Sequence, residues 1–181
     1  MKAIILAFTW SLLLISCREV SFPVAQPAGV PSLKEIPPAL LGHYLSYDEK
    51  TGEESDTLII ESWGYYFKDH EDKDWLGQGH LSDTLVVKFY QDYYFVNFKS
   101  GNQWVLRLLQ KRPSGGLRFL AIDLQNEEKR KDILARLGSA LKIVEIKKGE
   151  DVFYQISPTP AQLMGLIREG YFTGPELSRI H

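Results

Sequence analysis

The chain has 181 residues, a formal net charge of −2 and one cysteine. That length fits one domain behind a short leader, the near-balanced charge gives no electrostatic basis for binding nucleic acid, and a lone thiol excludes an internal disulfide. The domain must therefore stand on its apolar core.

The leader has one positive side chain, Lys2, then an apolar run from Ala3 to Ile15 and a small residue, Ser16. This is the layout of a secretory signal peptide. A spanning helix needs roughly 20 apolar residues, and this run ends at Cys17, Arg18 and Glu19, so a permanent span is not expected. Leu14-Ile15-Ser16-Cys17 resembles, at all four positions, the lipobox of bacterial lipoproteins. The resemblance covers the leader only. It implies that residues 1–16 are removed as a signal peptide, that the Cys17 thiol takes a diacylglyceryl group, and that the new amino terminus is acylated. Several acyl chains make a stable anchor where one is marginal, because each buried methylene contributes about 0.8 kcal/mol. The expected address is the cell envelope, with the membrane as a partner through lipid on Cys17. Arg18 stands where an aspartate would mark inner-membrane retention in that family, which leans towards the outer membrane. Losing Lys2 with the leader leaves 20 basic against 23 acidic side chains, net −3.

Residues 17–38 read as a lipidated cysteine and a proline-rich tether. Five of the nine prolines lie here, Pro23, Pro27, Pro31, Pro37 and Pro38, without apolar periodicity. Proline removes donors and favours extended backbone, which suits a semi-rigid spacer. The alternative is that Val30 to Ile36 packs on the domain as an arm.

Residues 39–181 then form a single globular α+β domain. Fourteen of the 22 aromatic residues fall between Tyr44 and Trp104, interleaved with Val, Ile and Leu, as pleated, half-buried surfaces require. Strands are predicted at Leu41–Tyr47, Thr57–Phe67, Thr84–Tyr90, Tyr93–Phe98, Gln103–Gln110 and Leu117–Asp123. Turn-like separators such as Ser100-Gly101-Asn102 imply an antiparallel meander of about six to eight strands, either an open curled sheet or a barrel. Tyr93, Phe95 and Asn97 share one face while Tyr94, Val96 and Phe98 share the other. With both faces apolar, the sheet needs cover on both sides.

Two helices in the C-terminal half can supply it. Asn126 suits an N-cap, Glu127 and Glu128 suit the positive helix end, and Gly138 suits a stop. The second opens at Thr159-Pro160 with Gln162 in capping-box position and runs to Gly170. Leu141–Ile146 and Val152–Ile156 read as two more strands around a turn at Lys147 to Asp151. Gly42-His43-Tyr44 faintly resembles the Gly-x-Trp that opens lipocalin-like barrels, with tyrosine in place of tryptophan; the resemblance implies a barrel with a helix late in the chain.

The loop Asp69-His70-Glu71-Asp72-Lys73-Asp74, counted as an EF-hand from Asp72, fails at Leu76, where an oxygen ligand belongs, and at Asp83, where a longer bidentate glutamate belongs. His43, His70 and His80 share no zinc-ligand spacing. Ser82, Ser114 and Ser139 have no Gly-x-Ser-x-Gly setting, and Glu53-Glu54 and Glu127-Glu128 fall in a turn and at a helix start. No cofactor or metal site is expected. The aromatic set is the feature that points to binding, and Trp63, Tyr65, Tyr94 and Trp104 are the candidate ligand residues. The expected protein is a membrane-anchored envelope lipoprotein, non-enzymatic in preference to enzymatic, that binds a partner protein or an apolar ligand through an aromatic-rich sheet. The rivals are an envelope hydrolase or carbohydrate-processing enzyme, and an anchored immunity or inhibitor protein.

Overall fold

Alternating apolar residues build two antiparallel meanders. In the computed structural model, which describes residues 17–47, 54–68 and 77–180, the first comprises β2 (Gly42–Tyr47), β3 (Glu54–Glu61), β4 (Gly64–Phe67) and β5 (Gln78–His80). The second comprises β6 (Leu85–Tyr90), β7 (Tyr93–Ser100), β8 (Gln103–Lys111) and β9 (Leu117–Leu120). The strand expected at Thr57–Phe67 is two strands, because Ser62 and Trp63 form a tight turn between the paired residues Glu61 and Gly64. Between β6 and β7 only Gln91 and Asp92 intervene, both at positive φ (46° and 68°). Positive φ at both positions matches the right-handed twist of the flanking strands.

Three further strands escaped the sequence pattern. One, β1 (Arg18–Phe22), inserts between β8, antiparallel, and β11 (Asp151–Gln155), parallel, while β10 (Val144–Lys148) pairs with β11 at the sheet's end. The second is the short β5. The third, β12 (Glu176–Ile180), pairs with β9 on one side and β2 on the other and so joins both meanders into one twelve-stranded sheet. The sheet is open, its ends at β10 and β5 being unjoined. Among the described residues the fold is thus mostly β with two helices, and the expectation of six to eight strands is corrected to twelve.

The need for two covers is met by different means on each side. Phe95, Leu106 and Leu108 face α1 (Glu127–Ala140) and α2 (Pro160–Arg168), packing with Leu137, Leu163 and Leu166. Val87, Val96, Phe98 and Leu109 face the first meander and pack on Tyr44, Leu58, Ile60 and Tyr65. Each fully buried Leu or Phe contributes about 1.5–3 kcal/mol. Asn126 caps α1, its Oδ1 accepting from Lys129 N at 3.0 Å. The helix runs through Gly138 to Ala140, beyond the expected stop. Thr159 and Gln162 complete a reciprocal capping box at α2.

Residues 17–38 do not form a tether. Val20 and Phe22 are core residues, so the domain expected to begin at residue 39 already includes β1. The proline-rich stretch that follows lies on the body as an arm. Prolines donate no backbone hydrogen bond, so the arm cannot pair along its length as a strand, and side chains of the sheet serve part of its backbone. Asn97 accepts from Gln26 N (2.6 Å) and donates to Gln26 O (2.8 Å), and Lys88 Nζ donates to Ala25 O (2.7 Å) and Pro27 O (3.0 Å). The arm then joins β6 through Leu33 N to Val87 O and the β3–β4 turn through Ile36 N to Ser62 O, burying Ile36 and Leu40.

Candidate functional site

The inner faces of the two meanders leave between them a cavity of about 220 Å³. It exceeds an apolar cavity of about 150 Å³ known to take benzene and falls below the roughly 300–1,000 Å³ of drug-sized pockets. Its walls come from β3 and β4 (Leu58, Ile60, Tyr65), from β6 to β8 (Val87, Val96, Phe98) and from the arm (Ile36, Leu40). Tyr65 stands edge-on to Phe67 and Phe98, with centroids at 6.3 and 6.2 Å. Asp56, Phe67 and Phe119 also line the space and keep partial solvent contact, so the cavity reaches the surface beside them. Among the described residues, Asp56 is the one carboxylate that lines it, and no Lys, Arg or His does.

The structure separates the four candidate aromatic residues. Tyr65 lines the cavity. Tyr94 packs against the same core from the side, its ring 4.7 Å from Phe89. Trp104 faces the helices, with Lys99 Nζ 5.8 Å from its ring. Trp63, in the β3–β4 turn, is 43% exposed and stacks on His80 at 4.3 Å and beside Tyr66 at 6.3 Å. Alternation sends neighbouring strand residues to opposite faces, so density of aromatics along the chain did not amount to one surface. Asp56, Ile36 and Leu40 were missed. Asp56 had a usable pattern, sharing strand parity with the inward Leu58 and Ile60; the two arm residues had none.

The other polar candidates serve local structure. Ser82 Oγ accepts from the backbone of Thr84 and Leu85, Ser139 Oγ donates to Arg136 O, and Glu127 pairs with Lys131 at 3.1 Å. His43 lies on β2 and His80 on β5; among the described residues no three His, Cys, Asp or Glu side chains group to hold a metal. His70 and the acidic loop Asp69 to Asp74 lie outside the described residues, as do the leader 1–16 and the lipobox residues before Cys17.

Two ionisable groups are displaced by burial. The Tyr44 phenol is raised by loss of solvent, an effect that Arg179 partly opposes, and its hydroxyl donates to Leu40 O at 3.0 Å. The Lys88 ammonium is lowered by burial beneath the arm. At the start of the body, Cys17 N donates to Asp151 Oδ1 at 3.0 Å and Cys17 O accepts from Val152 N at 2.9 Å. Among the described residues no helix is long and apolar enough to cross a membrane. Compared with family models, curated proteins and solved structures, the chain matches none.

Proposed function

We propose that this chain is a lipid-anchored protein of the cell envelope, on the outer membrane in preference to the inner, that holds an apolar ligand between its two meanders without transforming it. The observation that carries this reading is the apolar cavity of about 220 Å³ that opens beside Asp56, Phe67 and Phe119. The leader supports the anchor through Leu14-Ile15-Ser16-Cys17 and its resemblance to the lipobox. With β1 starting at Arg18, lipid on Cys17 would hold the body against the bilayer, within reach of lipid-derived ligands.

Two measurements test the two halves. Labelled palmitate should enter the wild-type chain and not Cys17→Ser, which should move to the soluble fraction; unlabelled wild type in a competent bacterial host would remove the anchor. Native mass spectrometry of the membrane-extracted protein should find an apolar molecule of low mass, diminished by the cavity-filling Val96→Phe and by the milder Val87→Leu. Ligand-free wild type that also takes up no added apolar probe would remove the carrier.

A second reading, docking of a partner protein, is favoured by the exposed Trp63 stack on His80 and Tyr66. Trp63→Ala would then abolish co-purification of that partner and leave cavity ligands in place.

A further inference from the structure

We infer that the cavity is a blind slot that measures chain length, accommodating one unbranched apolar chain of about nine carbons and not a membrane-length acyl chain. The inference rests on the carrier reading and adds the size class of the ligand to it.

The strands fix where the slot opens and where it ends. Asp56, Leu58 and Ile60 alternate onto the same face of β3, and all three line the cavity. On the neighbouring strand Phe67 pairs with Leu58 and Tyr65 with Ile60. Asp56 and Phe67, which keep partial solvent contact, therefore stand at one end, and the buried Ile60 and Tyr65 at the other. Just beyond Ile60 the backbone turns, and there the arm is fastened, Ile36 N donating to Ser62 O at 2.9 Å. Ile36 is itself buried and lines the cavity, so the arm stops the inner end.

Dimensions then set the occupant. From Asp56 to Ile60 a strand advances about 13 Å. A volume of about 220 Å³ spread over that depth leaves a cross-section on the order of 17 Å², one chain wide at carbon separations of about 4 Å. A cavity of about 150 Å³ takes the six carbons of benzene, and in proportion this one takes about nine. The walls are close-packed side chains of both meanders and the arm, so a longer chain leaves its remaining carbons at the mouth, in water. Each methylene that enters raises affinity about fourfold, and each that stays outside adds little.

The test uses the full chain in a bile-salt detergent, which has no alkyl tail to fill the slot. It is titrated with 1-alkanols from hexanol to dodecanol, the free concentration being set by dialysis, and adducts are read by native mass spectrometry after the micelle is stripped. Affinity should rise about fourfold per carbon as far as nonanol and then level. Val96→Phe should move the break to shorter chains and Ile36→Ala to longer ones, so either variant suffices if the other does not fold. A rise that continues unbroken to dodecanol, or a break that stays in place in a folded variant, would overturn the length selection and leave the carrier reading intact. Absence of every alkanol adduct would overturn the carrier reading and this inference together.

Discussion

Arg107 on β8 grips Glu19 on β1 through two nitrogens, Nη2 to Oε1 at 2.6 Å and Nη1 to Oε2 at 3.1 Å, with both side chains buried. The pair ties the first strand to the centre of the sheet two residues after Cys17. A buried pair has little net value over an apolar pair of similar shape, but losing one partner strands the other charge. Arg107→Ala or Glu19→Ala should each lower unfolding free energy by about 3–5 kcal/mol, measured by chemical denaturation. The double change Glu19→Met with Arg107→Met should recover most of that loss. The exposed Glu127–Lys131 pair sets the contrast: Lys131→Ala should cost under about 1 kcal/mol. A single change at Arg107 that cost no more than Lys131→Ala would refute this account of β1.

Asn97 decides whether the arm stays down. It serves both the N–H and the carbonyl of Gln26, and its Nδ2 also lies 3.0 Å from Phe95 O. Asn97→Ala would leave buried backbone groups unpaired at about 1–3 kcal/mol each. The arm should then become a protease site between Pro23 and Val30 while the sheet remains folded. Equal resistance of wild type and Asn97→Ala to limited proteolysis would contradict this.

Two buried groups give stability opposite slopes with pH. Lys88 has its pKa lowered below the ordinary 10.5, so in the interval beneath 10.5 the unfolded chain holds more protons and stability rises with pH. Tyr44 has its pKa raised above the ordinary 10.0. Its contribution is complete below pH 10.0 and is lost as pH climbs through the folded value, since the unfolded phenol ionises first. Lys88→Met should flatten the rising limb and Tyr44→Phe the falling limb in urea midpoints taken from pH 7 to 11. A Lys88→Met profile parallel to wild type would show that its burial is not linked to folding.

Gly64 has no room for a side chain. A Cβ there would lie 1.9 Å from the backbone oxygen of Gly79 on the paired strand, and a backbone atom cannot swing aside as a flexible side chain can. Gly64→Ala should cost about 1–3 kcal/mol and loosen the β4–β5 pairing that positions His80 on Trp63. A red-shifted tryptophan emission with a lower denaturation midpoint is the expected result; unchanged emission and midpoint would refute it.

Local chemistry was legible in the residues themselves. Asn126, Thr159 and Gln162 announce their helices because a cap satisfies donors within three positions. The two apolar faces of β7 followed from period two alone, and with them the requirement for two covers. Tertiary structure alone decided what those covers are, where β1 goes and whether Lys88 is exposed. Cys17 meets Asp151 across 134 positions of chain, β12 bridges meanders that the sequence presents separately, and the arm is held by an asparagine and a lysine that read as ordinary polar strand residues. Caps and alternation are short-range properties of one segment, whereas strand register, the burial of polar groups and the cavity beside Asp56 exist only when segments distant in sequence come together.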